Sequence, residues 1–253
     1  MKQHNNLQQF NSSSETEKKL RSQLTEHLRK SPIPDDQLLE NFGLFLSTKD
    51  LSRLLFFSDM YNRILEVQGV IMEFGVRWGQ TLAVLSALRG LYEPYNIQRR
   101  IVGFDTFEGF PDVDDQDGGH AMMSSGNLSV TPGYEEYLEK GLAVHETGNP
   151  VAHVRKFEIC KGDAPESLRN YMERQPETIV SMAIFDMDIY QPTKQCLEIL
   201  LPYMVRGSVL IFDELNCRTS PGETVAVREV LGLENLRIQR PRNATRVSYI
   251  IMD

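Results

Sequence analysis

The sequence lacks several features that mark well-known functional classes. Its 253 residues carry a formal net charge of −8 and contain no block of lysines and arginines, which argues against a surface that follows nucleic-acid phosphates. The three cysteines are widely separated and form no C-x-x-C pair, a pattern that fits a reducing compartment. No apolar run approaches the length of a membrane span, and the polar start Met1–Asn5 has no signal-peptide core. We therefore expect a cytoplasmic protein that neither binds nucleic acid nor inserts into a membrane.

The sequence also lacks the third glycine of the dinucleotide-binding pattern G-x-G-x-x-G. The apolar run Val70–Met72 leads instead into E-F-G-V-R-W-G-Q-T, which begins at Glu73, ends at Thr81 and contains Gly75 and Gly79. A strand-end acid, two glycines and a helix start indicate the nucleotide site of a doubly wound α/β domain. The acid would repel a pyrophosphate, but it suits the ammonium of S-adenosylmethionine (SAM). The alternative is that both glycines simply form a turn.

A second predicted strand ends in an acid about thirty residues downstream. Asp105 closes this strand one β-α-β unit after the first, so it is placed to accept both ribose hydroxyls. Strands and helices continue to alternate, which predicts a Rossmann-like parallel sheet with helices on both faces, as in class I methyltransferases. We expect five parallel strands followed by an antiparallel hairpin. The predicted strands are Val70–Phe74, Ile101–Asp105, Phe157–Lys161, Val180–Asp186 and Ser208–Asp213, and the hairpin pairs Leu236–Arg240 with Arg246–Met252.

Helices are predicted both before the sheet and between its strands. Residues 1 to about 13 are polar and expected to be mobile, and Ser14–Glu17 is typical of a capping box. The following stripe of leucines at positions 20, 24 and 28 is too narrow to be buried on all sides. We therefore predict that residues 1–66 are a helical extension of the domain 67–253, which acts partly as a packing cap and partly as an element of a homodimer, a higher homo-oligomer or a substrate lid. The other predicted helices are Asp35–Phe45, Lys49–Glu66, Thr81–Tyr92, Pro165–Arg174, Pro192–Met204 and Glu223–Leu231.

The segment 109–154 is longer than connections in compact domains usually are. Its clusters of Pro, Gly, Asp, Ser and Asn indicate either a functional lid or a disordered segment. A calcium loop is an alternative, but the spacing lacks the twelfth-position glutamate of an EF-hand, so we expect a solvated acidic loop. Tyr134–Leu138 is predicted to form a short helix over the site. The acids of the loop are Asp112, Asp114, Asp115 and Asp117.

Four segments are expected to meet at the carboxyl ends of the strands, and they resemble the TylF/macrocin family of SAM-dependent O-methyltransferases. The strings F-D-T-F-E-G-F-P at Phe104–Pro111 and D-M-D-I-Y-Q-P-T at Asp186–Thr193 carry the resemblance, which spans roughly residues 65–252. Family members often carry a second aspartate after Asp213, where this chain has Glu214. The resemblance implies methyl transfer from SAM to a hydroxyl of a sugar-containing or polyhydroxylated small molecule. Natural-product or surface-polysaccharide assembly would be its setting.

The resemblance assigns cofactor contacts to successive strand ends. Glu73, Gly75 and Gly79 would hold the methionine end, Asp105 the ribose and Asp163 the adenine amino group. Asp163 is also placed to cap the following helix, and a carboxylate has enough lone pairs for both roles. The full predicted cofactor set is Glu73, Phe74, Gly75, Val76, Trp78, Gly79, Thr81, Asp105, Thr106, Phe107, Gly162, Asp163 and Asp186.

The acids Asp186, Asp188, Asp213 and Glu214 are expected at one edge of the sheet. Carboxylates gathered there repel each other unless a cation lies among them or one is protonated. Oxygen ligands suit Mg²⁺ or Ca²⁺, and the resemblance implies such a divalent ion, Mg²⁺ or another, held by Asp186, Asp213 and Glu214 against two vicinal sugar hydroxyls. The alternative is that Asp186 orients a ligand by hydrogen bonds while Asp213 and Glu214 cap the following loop.

Methyl transfer needs an in-line attack of a hydroxyl oxygen on the sulfonium methyl and the loss of a proton from a weak acid. A metal that binds the hydroxyl lowers its pKa, and a nearby carboxylate takes the proton. Asp188 is the predicted catalytic base. The alternatives are His120 and His145, with Asp188 capping the helix that begins near Pro192. Two other functions remain open, namely a Rossmann-type nucleotide-binding reductase, which the missing glycine opposes, and a non-catalytic SAM-binding protein, which the acids oppose.

Overall fold

A six-stranded sheet forms the centre of the molecule in the computed structural model, which describes residues 13–234, 236–244 and 246–253. Its strands are β1 (Val70–Phe74), β2 (Ile101–Asp105), β3 (Phe157–Lys161), β4 (Val180–Phe185), β5 (Met204–Phe212) and β6 (Ser248–Ile251). They lie in the order β3-β2-β1-β4-β5-β6, and only the pairing of β5 with β6 is antiparallel. The predicted fold class is confirmed. The first twelve residues, which were expected to be mobile, lie outside the described part of the chain.

Helices cover both faces of this sheet. They are α1 (Glu15–Arg29), α2 (Asp35–Leu38), α3 (Thr48–Arg63), α4 (Gln80–Tyr92), α5 (Tyr134–Thr147), α6 (Ala164–Arg174), α7 (Tyr190–Leu200) and α8 (Gly222–Leu231). Most lie within a few residues of their predicted bounds, but α5 is much longer than the predicted helix Tyr134–Leu138. Within the described ranges, no helix combines the length and the apolar character needed to cross a membrane.

A row of stacked phenylalanine rings fixes the register of the four central strands. Neighbouring ring centroids in this row are 4.9, 5.0 and 5.2 Å apart. The rings belong to Phe104, Phe74, Phe185 and Phe212, which are paired across β2, β1, β4 and β5. Because the rings are level, Asp105, Asp186 and Asp213 follow them at the same edge of the sheet. Backbone hydrogen bonds continue the pairing there, from the Asp186 N–H to the Phe74 carbonyl at 2.8 Å and from the Asp213 N–H to the Phe185 carbonyl at 3.1 Å.

The N-terminal helices differ in how firmly they join the sheet. α1 begins at the predicted capping box of Ser14 and Glu17, yet none of its residues is buried. The predicted helix Asp35–Phe45 is instead the single turn α2 followed by a 3₁₀ helix, Leu39–Phe45; Gly43 lies in that segment and disfavours an α-helix. α3 is part of the core, and its buried residues are Phe56, Phe57, Met60 and Tyr61.

The predicted C-terminal hairpin is present in reduced form. Gln239 and Tyr249 make one antiparallel bridge, with N–H to carbonyl distances of 2.8 and 2.9 Å. β6 pairs along its length with β5, which would otherwise be the edge strand, from Val209 opposite Ile251 to Phe212 opposite Ser248. An edge strand presents a row of unpaired backbone groups, so it competes well with a short partner. The sixth strand therefore extends the sheet.

Candidate active site

A cavity of about 930 Å³ opens at the carboxyl ends of the parallel strands. Its wall includes the turn after β1 and the strand-end acids Asp105, Asp186 and Asp213. Lys49 and Arg53 close one side from the N-terminal extension. Open α/β sheets bind their ligands at this edge, so the cavity is the candidate active site.

The turn after β1 requires both of its glycines. Gly75 has φ +91°, and a Cβ there would collide with the backbone oxygen of Asp186 at the end of β4. Gly79 has φ +74° and precedes α4, and the space beside it is filled by the Leu138 side chain of α5. The Tyr134 hydroxyl also donates to the Trp78 carbonyl at 3.0 Å. The helix of the 109–154 insert therefore rests directly on the glycine turn.

Glu73 is a buried acid with an unsatisfied oxygen in the cavity wall. The residue is 1% exposed, and its Oε2 has no hydrogen-bond partner. Burial, with the charge of Asp186, raises the pKa of this carboxyl to about 8, although Arg53 and Thr81 act to lower it. A buried oxygen without a partner is unfavourable unless a ligand supplies the donor. The position suits a cationic donor such as an ammonium group.

Arg53 is a functional candidate that the sequence analysis missed. Its Nη2 lies 2.9 Å from the Thr81 hydroxyl and 3.1 Å from Asp186 Oδ2, so it donates to both. Its Nη1 lies 3.8 Å from Asp213 Oδ1, and the guanidinium carbon is 5.2 Å from the centre of the Phe57 ring. An arginine of α3 therefore reaches the start of α4 and the ends of β4 and β5. No motif marked it, because its partners lie far away in the sequence.

The acids predicted for the ribose and the adenine both line the cavity. The two oxygens of Asp105 accept from the backbone N–H groups of Arg77 and Phe107, each at 2.6 Å. Burial raises the pKa of Asp105, and these hydrogen bonds oppose the rise. Asp163 caps α6 by accepting from the Glu166 N–H at 3.5 Å, as predicted. Carboxylates with these contacts keep lone pairs for ligand hydroxyl or amino groups.

The other predicted cofactor residues divide into two groups. Ten of the thirteen line the cavity. The remaining three lie behind its wall: Phe74 in the ring stack, Gly79 beneath Leu138, and Phe107, which is buried in the apolar core. The turn residues therefore meet in one wall, as the motif indicates.

The four acids beyond the cofactor turn lie together, but only two of them face the cavity. Asp186 and Asp213 line it, whereas Asp188 and Glu214 are 6% and 4% exposed and lie behind the wall. Burial and the charge of Asp186 raise the pKa of Asp213 to about 7, and Arg53 opposes this rise. Burial, with Asp186 and Glu214 nearby, raises the pKa of Asp188 well above its ordinary value.

Arginines supply the positive charge expected among these acids. Arg53 lies between Asp186 and Asp213, and Arg246 forms an ion pair with Glu214. In the described part of the chain, no three His, Cys, Asp or Glu side chains are grouped so that they would hold a metal ion. The oxygen ligands are right for Mg²⁺, but their arrangement around two guanidinium groups does not fit it.

Solved structures of O-methyltransferases are similar to this chain along its whole length. A crystal structure of CalS11, a calicheamicin methyltransferase, is 42% identical with a TM-score of 0.93, over 96% of this chain and 95% of that chain. A second CalS11 structure, named as the apo form of a TDP-rhamnose 3′-O-methyltransferase, is 38% identical with a TM-score of 0.85 over 96% of both chains. The O-methyltransferase NovP shares the fold at 16% identity and a TM-score of 0.59, over 93% of this chain and 97% of that chain. No protein-family model and no curated protein sequence matches the chain.

The chain belongs to the SAM-dependent O-methyltransferases. The identity to CalS11 over nearly the full length of both chains decides this point. The enzyme is therefore a methyltransferase with SAM as its methyl donor, and the reductase and non-catalytic alternatives are wrong. The narrower resemblance to the TylF/macrocin enzymes stays a prediction.

The acidic loop of the methyltransferase is not fully solvated, so that prediction is wrong for Asp117. This residue is 1% exposed and accepts from the Tyr190 N–H at 2.6 Å and from the Asp114 N–H at 2.8 Å. The first amides of a helix need acceptors, and Asp117 supplies one to α7. The Asp188 side chain makes no such contact, so its predicted capping alternative is wrong.

Two further alternatives concern the histidines and the loop after β5. Neither His120 nor His145 lines the cavity. The loop after β5 is held from α8, where Glu223 Oε2 accepts from the Glu214 N–H at 3.0 Å and the Thr224 hydroxyl accepts from the Asn216 N–H at 2.8 Å. The Ser220 hydroxyl of the same loop also donates to Glu214 Oε2 at 3.4 Å, so Glu214 shares the capping of this loop with side chains of α8.

Proposed function

We propose that the methyltransferase transfers the methyl group of SAM to a hydroxyl of a sugar, which is carried on a nucleoside diphosphate. The observation that carries the proposal is the single cavity that joins the glycine turn to the acids Asp186 and Asp213. Its volume is at the upper end of the range for ligand sites, which leaves room for an acceptor beside the cofactor. The action of CalS11 on TDP-rhamnose supports a nucleotide sugar as that acceptor.

We propose that SAM lies along the wall formed by the turns after β1, β2 and β3. Glu73 would meet the ammonium, because its Oε2 lacks a partner in the wall. Asp105 would accept from the ribose hydroxyls, and Asp163 from the adenine amino group. Each of these acids is placed at the end of a successive strand, as the ligand's length requires.

The acceptor hydroxyl would lie near Asp186 and Asp213 and lose its proton to this group of acids. Asp188 remains our proposed base, because it lies beside Asp186, Asp213 and Glu214 in this group of acids, and it would have to be ionised to accept the proton. Asp213 is the second candidate, since it lines the cavity and Asp188 does not. Arg53, beside Asp213, adds positive charge that favours the alkoxide developing on the acceptor.

Magnesium assistance through Asp186, Asp213 and Glu214 was an expectation from the sequence, and it forms no part of this proposal. When bound, such an ion would acidify the acceptor hydroxyl. Arg53 and Arg246 now hold these carboxylates, and a divalent ion would have to replace both arginines. We therefore assign no step to a metal.

Self-association also stays a prediction, and the exposed apolar side chains of the N-terminal helices support it. Leu39 is 81% exposed and Leu44 is 59% exposed. Surfaces of this kind commonly mark interfaces. The double variant Leu39→Glu, Leu44→Glu should lower the mass measured by light scattering; an unchanged mass would remove this face from any interface.

A methyl-transfer assay with defined acceptors tests the function. The enzyme is incubated with SAM and, in parallel, a TDP-linked deoxyhexose, the free deoxyhexose and a catechol. We expect the TDP-sugar alone to gain one methyl group by mass spectrometry, at a site that fragmentation assigns to the sugar. Transfer to the catechol but to neither sugar would contradict the proposed acceptor class.

A further inference from the structure

We propose that Arg53, contributed by the N-terminal helix α3, binds the carboxylate of the methionine end of SAM. The proposal rests on the cofactor position given above and adds a residue outside the glycine turn. The methionine end of SAM is a zwitterion, with an ammonium and a carboxylate on one carbon atom. A matching site needs an anion and a cation a few ångströms apart.

Glu73 provides the anionic half of this site. It is 1% exposed, lines the cavity and has an Oε2 atom without a hydrogen-bond partner. Among the charged groups that act on this carboxyl, Arg53 has the largest effect. The two side chains are therefore neighbours in one wall, and Glu73 keeps an unused oxygen that becomes anionic when a bound ammonium displaces its proton.

The start of α4 provides the frame for the cationic half. No side chain caps this helix, whose N-cap is Gly79, so its first N–H groups have no side-chain acceptor, and its first residues Gln80 and Thr81 line the cavity. Thr81 lies in the first turn, and its hydroxyl accepts from Arg53 Nη2 at 2.9 Å. A carboxylate placed there would meet the helix N-terminus, the Thr81 hydroxyl and the guanidinium together.

Arg53 has donors to spare for a ligand. A guanidinium carries five N–H donors, and the short contacts of Arg53 involve only Nη2. Its Nη1 is 3.8 Å from Asp213 Oδ1, beyond hydrogen-bond distance. The Phe57 ring, 5.2 Å from the guanidinium carbon, supports the group from one face. Arg53 can thus keep its hydrogen bond to Asp186 and still donate to a ligand carboxylate.

Among the described residues, the other cations of the cavity wall are Lys49, Arg77 and Arg246. Arg77 is the main competitor, because its Nε is buried without a hydrogen-bond partner. Arg246 is paired with Glu214, away from the glycine turn. The charges that act on Arg77 are those of Asp186, Asp188 and Asp105, and not that of Glu73. Arg77 is therefore a matched control, because it is an arginine in the same cavity that is directed at other acids.

The test compares two ligands that differ only at the amino-acid end. S-adenosylhomocysteine carries the zwitterion, whereas 5′-methylthioadenosine keeps the adenosine and the thioether and lacks it. Calorimetry on the full chain should show that Arg53→Gln lowers the affinity for S-adenosylhomocysteine by about 30-fold, as expected for the loss of hydrogen bonds between charged groups. The affinity for 5′-methylthioadenosine should change less than about twofold. Arg53→Lys should recover part of the loss, and Arg77→Gln should keep the wild-type ratio of the two affinities.

Several results would overturn the proposal. If Arg53→Gln lowers the affinities for both ligands equally, Arg53 only shapes the cavity. If Arg77→Gln alone lowers the affinity for S-adenosylhomocysteine relative to 5′-methylthioadenosine, Arg77 is the residue that binds the carboxylate. If Arg53→Gln does not fold, wild-type affinity for S-adenosylhomocysteine in Arg53→Lys counts against the proposal, since a lysine cannot reproduce the fork of donors. The assay contains no acceptor, so failure of the sugar proposal would leave it unaffected. If the wild type binds neither ligand, the proposed position of the cofactor site is wrong.

Discussion

The cavity has two walls: a cofactor wall formed by the turns after β1, β2 and β3, and an acid wall formed by Asp186 and Asp213 with Glu214 behind them. Negative charge is balanced differently in the two walls. In the cofactor wall, Glu73 is buried with an oxygen that no protein group satisfies. In the acid wall, Arg53 lies against Asp186 and Asp213, and Arg246 holds Glu214. The first wall keeps an oxygen for a cationic ligand, which Glu73 can hold once it loses its proton, whereas the second wall is already neutralised by arginines. A ligand of the acid wall must exchange partners with an arginine, so the two walls should respond differently to substitution, pH and added cations.

The largest effect is expected in the acid wall, from Asp188→Asn. If Asp188 takes the acceptor's proton, turnover should fall by about 100-fold or more, because general-base catalysis commonly contributes that much. The affinity for S-adenosylhomocysteine should stay unchanged, since Asp188 does not line the cavity. Single-turnover rates and calorimetry measure the two effects. Asp213→Asn is the matched variant, and a larger loss there, with little loss in Asp188→Asn, would make Asp213 the base.

The next effect is expected in the cofactor wall, from Glu73→Gln. An ammonium binds an ionised carboxylate, but the carboxyl of Glu73 has its pKa raised to about 8 and is mostly protonated at pH 7. SAM binding at pH 7 should therefore release a proton, and affinity should rise as the pH increases toward 8. In Glu73→Gln, affinity for S-adenosylhomocysteine should fall by about 30-fold and the proton release should vanish. Calorimetry in buffers of different ionisation enthalpy measures both, and a proton release that persists in the variant would assign it to another group.

The same carboxyl should affect the stability of the ligand-free protein. Its pKa is raised on folding from about 4.5 to about 8, so its stabilising contribution is full below pH 4.5 and is lost as the pH rises through 8. Glu73→Gln removes this dependence. At pH 8 the ligand-free variant should melt at least about 2 °C above the wild type, a shift that corresponds to about 1 kcal/mol or less for a chain of this size. At pH 5 the difference should shrink, and a difference that grows toward low pH would contradict the assignment.

The smallest effect is expected from a chelator. With arginines in place among the acids, EDTA should change turnover by less than about twofold. Methyl transfer in EDTA, with Mg²⁺ added back, measures this directly. A loss of activity that Mg²⁺ restores would show that Arg53 and Arg246 leave the carboxylates during turnover, and it would uphold the magnesium prediction from the sequence.

Local patterns explain why the cofactor wall was predictable. Glu73, Gly75 and Gly79 lie within one short segment, and the two glycines allow the positive φ angles that its turn requires. Ser14 and Glu17 likewise form a capping box that four residues suffice to define. Strand-end acids were found because parallel strands that end together bring their next residues to one edge.

Contacts between distant segments explain what the sequence did not reveal. Arg53 meets Asp186 across 133 positions, and Asp117 meets Tyr190 across 73, so neither pair leaves a spacing that can be recognised. The charge state of the acid wall depends on these partners, and the expectation of a metal ion arose because the arginines were unknown. The reduced hairpin has a similar origin, since the edge of β5 is a better partner for β6 than the segment 236–240.

Arg53 lies on α3 between Leu51 and Leu55, which are 47% and 51% exposed. Contact with these leucines would fix α3 in the position from which Arg53 reaches the cavity. With Arg53 bound to SAM as proposed, a contact on the outer side of this helix and cofactor binding on its inner side would be linked equilibria. By reciprocity, a contact that tightens SAM binding by some factor is itself tightened by SAM by the same factor. Cofactor binding would then change the affinity of the N-terminal extension for a surface that contacts it.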